Sequence, residues 1–149
     1  MIKTDVPSTG NIQVLVRLEL RVHGGNTSTP IITYVQLQGS SGSISASGCG
    51  GFTMGTAAYP LKIFFVDDKL QIYYPRNRSY DRLYASVYYN TASIRNRVTE
   101  VEEYTYSDTT DEPNVKITVT PKLFCLLDTS QTISGTKTFT GSPILANNV

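Results

Sequence analysis

"NIQVLVRLELRV", residues 11–22, decides the fold. Ile12, Val14, Val16, Leu18, Leu20 and Val22 take every second position, with Gln13, Arg17, Glu19 and Arg21 between them and Leu15 as the apolar exception. Side chains alternate faces along a strand, so this is a long strand buried on one side only. "HGGNTSTP" follows as a turn, with Gly24 and Gly25 free to take positive φ and Pro30 closing it. "IITYVQLQ" then sets Ile31, Thr33, Val35 and Leu37 on one side and reads as the return strand.

The same period runs on. "LKIFFV" and "KLQIYY" are two strands joined at Asp67-Asp68, a tight hairpin turn. "RLYASVYY" alternates Leu83, Ala85, Val87 and Tyr89 against Tyr84, Ser86 and Tyr88, and "RVTEVEEYTY" and "VKITVT" are further strands. Between them, "GSSGSISASGCGG" is small and permissive, with one short strand around Ile44. No segment carries a helical period. Seven or eight strands spaced by roughly 10 residues predict an antiparallel β-sandwich, an all-β fold.

Composition narrows the function. A chain of 149 residues, 40% hydrophobic, suffices for one core and not for two. A net charge of +1 argues against nucleic acid as the main partner, because phosphate binding needs a clustered basic excess. No window is long and apolar enough to span a bilayer, and "MIKTDVPSTG" lacks the apolar run of a secretory signal, so folding in a cytoplasm is expected. Cys49 and Cys125 belong to no metal-ligand spacing and are expected as buried free thiols rather than a disulfide. His23 has no Ser or Cys partner in a recognisable motif, and Asp67 and Asp68, adjacent in sequence, cannot face each other as a glycosidase pair. The acids of "SDTTDE" lack the spacing of a calcium loop. The expectation is therefore a non-enzyme without metal or cofactor.

Two stretches suggest contacts. Tyr73, Tyr74, Arg76, Arg78, Tyr80 and Arg82 form an Arg/Tyr-rich loop region, suited to a glycan or acidic polymer and equally to a protein interface. Charge is also segregated. Five arginines and one acid lie between 76 and 97, whereas Glu100, Glu102, Glu103, Asp108, Asp111 and Glu112 follow with no basic residue among them. These are either complementary patches between subunits or two solvated faces of neighbouring strands.

Past Pro121 the character changes. "KLFCLL" is apolar, and "DTSQTISGTKTFTGSPIL", residues 128–145, is rich in hydroxyls. Thr132, Ser134, Thr136, Thr138 and Thr140 share one face of an extended chain; on the other only Ile133 and Phe139 are large and apolar. Ordering each residue costs about 1–2 kcal/mol, and two buried side chains return only about 3–6 kcal/mol. Such a strand is expected to order only when paired with other chains.

Residues 132–140, T-I-S-G-T-K-T-F-T, resemble the short repeat of bacteriophage tail-fibre proteins. Residues 61–90 are similar, in outline, to β-rich modules of such fibres, though the usual hairpin Gly and loop Trp are missing and Asp81 stands where Pro is common. The resemblance implies a homotrimeric virion fibre component assembled in the host cytoplasm, with other virion proteins and a host cell-surface glycan as further partners. The expected organisation is a leader at 1–10, a sandwich at 11–122 and a stalk segment at 123–149. Leu123, Phe124, Leu126 and Leu127 would cross the joint, and Ile133 and Phe139 would stack about the trimer axis.

Overall fold

The computed structural model describes residues 1–21, 30–55, 58–75, 82–90 and 95–124. They form an all-β structure of two sheets. The first sheet has the order β10-β6-β7-β1-β9, with β1 at Ile2–Pro7, β6 at Leu61–Val66, β7 at Lys69–Tyr73, β9 at Val98–Val101 and β10 at Ile117–Val119. The second has the order β11-β5-β3-β2-β8, with β2 at Asn11–Arg21, β3 at Ile31–Ser40, β5 at Gly50–Met54, β8 at Arg82–Tyr89 and β11 at Lys122–Phe124. A two-residue strand, β4 at Ser43–Ile44, pairs with the end of β3.

The alternation read from residues 11–22 is realised through Arg21. Ile12, Val14, Val16, Leu18 and Leu20 are buried, while Gln13, Leu15, Arg17 and Arg21 are exposed. β2 pairs with β3 over ten residues and with β8 over eight, so it is the axis of its sheet. The inner face of the first sheet answers it with Leu61, Ile63, Leu70, Ile72 and Val119. The β6–β7 hairpin turns at Asp67 and Asp68, whose φ of 47° and 57° are the left-handed values that a two-residue primed turn demands.

Several elements differ from the sequence reading. Residues 1–10, expected as a leader, contain β1, which lies between β7 and β9. Its inward set is Ile2, Thr4 and Val6, a short alternation broken by one polar residue. Thr4 sits where the register shifts, donates to the Leu70 carbonyl at 2.7 Å and accepts from the Val6 amide, so its hydroxyl is satisfied inside. The strand expected over 97–106 stops at Val101, and residues 102–116 instead cross the outer face of the first sheet. β5 was hidden by its glycines. At Gly51 a Cβ would stand 2.2 Å from the Tyr34 carbonyl oxygen, so only glycine lets this strand lie against β3. The sandwich also runs to Phe124 rather than 122: the chain crosses from β10 through buried Pro121 and pairs β11 in parallel with β5.

One corner joins the sheets. The Asn96 side-chain oxygen accepts from the Val87 and Val98 amides, one in each sheet, and its amide group donates to the Ala85 carbonyl. Beside it, the Arg97 guanidinium donates to Asp5 at 2.5 Å, and the Arg97 amide donates to the Val87 carbonyl. Asn96→Ala leaves the part-buried Val87 amide and the exposed Val98 amide without this acceptor and is expected to cost about 1 kcal/mol. Urea denaturation measures the loss, with Asn96→Asp, which keeps the acceptor, as the milder comparison.

Candidate interaction surface

The outer faces of the two sheets are treated differently. Over the first sheet, Tyr106 stacks on Tyr73 with ring centroids 4.9 Å apart, Tyr104 meets the same ring edge-on, and Phe64 is buried although it points outward from its strand. The Lys62 ammonium lies 4.5 Å from the Tyr106 ring centre and donates to both the Tyr106 hydroxyl and the Glu112 carboxylate. Tyr106 donates in turn to Glu112. At the other end the Asp111 carboxylate accepts from the Tyr104 hydroxyl and the Ser107 amide. Residues 102–116 are thus a strap pinned at 104, 106 and 112.

These contacts set the protonation behaviour of the strap. The Lys62 hydrogen bond first, then that of Tyr106, holds the Glu112 carboxyl below its ordinary value of 4.5. A carboxylate lowered in the folded state stabilises it above the unfolded value and loses that contribution as pH falls through the folded value. The strap is therefore expected to loosen on acidification below pH 4.5, with the near-UV tyrosine dichroism as readout. Glu112→Gln should flatten that acid limb.

The second sheet carries no strap among the described residues. Its outer face is a grid fixed by strand register. One row runs Lys122, Phe52, Tyr34, Arg17 and Ser86 across five strands, and the next runs Phe124, Met54, Ile32, Glu19 and Tyr84. Leu15 is 45% exposed, Phe52 42%, Tyr84 55% and Phe124 55%, so large apolar surface faces solvent here. Tyr34 and Phe52 stack at 5.3 Å, and Phe124 tilts onto Phe52 at 6.3 Å. Guanidiniums lie on two of the rings, Arg17 at 6.0 Å from Tyr34 and Arg21 at 5.4 Å from Tyr84. Arg17, Glu19, Arg21, Tyr84 and Ser86 line a shallow groove of about 220 Å³.

The residues singled out by sequence fall in separate places. Leu123 and Phe124 are both exposed on β11, and Phe124 joins the aromatic face. Tyr73 lies under the strap, and Tyr74 is buried edge-on to Tyr59. Arg82 is exposed at the start of β8, directly opposite Arg21. Arg76, Arg78, Tyr80, Leu126, Leu127, Ile133 and Phe139 lie outside the described residues. Sequence reasoning missed the aromatic face itself. Tyr34, Phe52 and Tyr84 stand on three strands, and only the registers β3–β5, β2–β3 and β2–β8 bring them onto one face. Leu15, the exception in the opening alternation, was its one local signal.

Cys49 is a free thiol whose pKa burial pushes up, and Cys125 lies outside the described residues. Among the described residues, no three His, Cys, Asp or Glu side chains gather as a metal site, and no helix is long and apolar enough to cross a membrane. The chain matches no family model, no curated protein and no solved structure.

Proposed function

We propose that this chain is a structural component of a phage virion fibre, homotrimeric through its C-terminal segment, with the sandwich as a bead on the fibre. The observation that carries this reading is the way the chain leaves the sandwich. β11 is an edge strand of three residues, and Leu123 and Phe124, about half exposed, stand eight or nine positions ahead of the start of the fibre-like repeat at Thr132. A strand this short, with Lys122 on it, offers little backbone for edge pairing; what it offers is apolar surface, since Phe124 extends the exposed aromatic face of the second sheet, and contiguous exposed apolar surface marks an association site. Here β11 leads into a segment that, by the balance of ordering cost against apolar burial, gains order from other chains.

The role is assembly rather than catalysis. Attachment to a host-surface glycan would be carried by the same particle. Light scattering on the intact chain is expected to give three times the chain mass of 16.4 kDa. Phe139→Ser, and separately Ile133→Ser, should shift the protein to monomer at micromolar concentration while far-UV dichroism keeps its β signal. An intact chain that stays monomeric at 100-fold higher concentration would overturn the reading.

A further inference from the structure

We propose that the outer face of the second sheet receives the acidic 100–112 stretch of a second copy of this chain, head to tail. The proposal rests on the reading that copies associate, and it names a second contact between them. Three observations carry it. The first is charge held against itself. Arg21 and Arg82 stand directly opposite each other across β2 and β8, an arrangement that destabilises a sheet unless an anion intervenes. Arg17 lies four residues back on the same face, and Glu19, between them, is the carboxylate that serves this group, at 3.2 Å from Arg21 and 3.8 Å from Arg17. Arg82 pairs with no carboxylate among the described residues. With Lys122 the face holds four cations and one acid.

The second is the complement on the opposite side of the sandwich. Lys3 holds Glu100 and Glu102, and Lys62 holds Glu112. Glu103 and Asp108 are exposed and pair with no cation among the described residues. Face against the same face would set the excess positive charge against itself. Face against strap sets it against the excess negative charge, so the charges favour a head-to-tail contact over a two-fold one.

The third is continuity and size. Phe124 belongs both to this face and to the strand that leads into the remaining 25 residues, so copies gathered by those residues meet with the face close at hand. The face spans five strands, roughly 19 Å, and runs roughly 20 Å along β2 from Leu15 to Arg21. That footprint of roughly 400 Å² falls short of the roughly 800 Å² per partner of a standard interface. The contact is weak alone, and tethering by the tail raises its effective concentration.

The test is sedimentation equilibrium of the intact chain, in low and in high salt, beside three folded variants: Arg21→Glu/Arg82→Glu, Glu103→Lys/Asp108→Lys, and all four changes together. The expected result is that each reversed pair weakens association at least tenfold, that the fourfold variant returns to within about threefold of the parent, and that salt weakens the parent. Association untouched by either reversal overturns the inference and leaves the tail-driven fibre reading standing. Weakening by the arginine reversal alone removes the strap as the occupant. A monomeric parent removes both readings. Polygalacturonate is the control polyanion: if it binds the parent, loses binding in Arg21→Glu/Arg82→Glu, and neither reversal changes association, the face belongs to an acidic glycan.

Discussion

Gly51→Val is expected to destabilise the sandwich by about 3 kcal/mol or more, the upper range for forcing atoms into a packed interior. A Cβ at this position would stand 2.2 Å from the Tyr34 carbonyl oxygen and 2.8 Å from a Val35 methyl, so backbone as well as side chain must give way. Gly51 pairs with Val35 inside the β3–β5 ladder, next to its central Tyr34–Phe52 pair. Moving β5 outward would break that ladder and take away the strand on which β11 rests. The consequence therefore reaches the proposed assembly as well as the fold. Urea denaturation of Gly51→Val should give a midpoint far below the parent, and any folded fraction should have Phe124 displaced from Phe52. A variant with parental stability would show that β5 does not lie this close.

Ile2→Ala is expected to cost about 2–5 kcal/mol, the range for truncating a fully buried isoleucine. Ile2 is 0% exposed and pairs with Ile72, which pairs in turn with Ile63, giving a row of three isoleucines across β1, β7 and β6. Against a typical domain stability of about 5–15 kcal/mol, that loss is large. The two ways of seeing residues 1–10 separate cleanly here, because a leader would tolerate the change with no shift in stability. Equal denaturation midpoints for Ile2→Ala and the parent would return β1 to the status of an appendage.

What could be read in advance follows from where the information lies. β2, β3, β6, β7 and β8 are long or sharply alternating, and their inward residues form most of the buried core. The Asp67-Asp68 turn was legible because few residue types accept left-handed φ at two successive positions. β1 was not legible, since six residues with Thr4 in the apolar set give too little period. Nor was β5, because glycines erase the alternation that marks a strand. The strap was misread as strand because Tyr104 and Tyr106 have the spacing of strand residues. Their rings gain more by covering Tyr73 and Phe64 than by extending β9. The charge segregation was legible as a pattern, but its two meanings were not separable without coordinates. In the structure Arg97 pairs within the chain with Asp5, whereas Arg82 and Glu103 pair with no opposite charge among the described residues.

The position of β1 also orders events in time. The β2–β3 hairpin needs nothing beyond residue 40, and the second sheet has every strand but β11 once residue 89 has been made. β1 must wait for β7, which ends at Tyr73, to pair its first edge and for β9, which ends at Val101, to pair its second. Pairings of such long sequence separation slow folding towards the millisecond-to-second range of all-β domains. During synthesis, then, Tyr34, Phe52 and Tyr84 would be in place before the strap that covers the other sheet exists, and Phe124 would complete their face only after it.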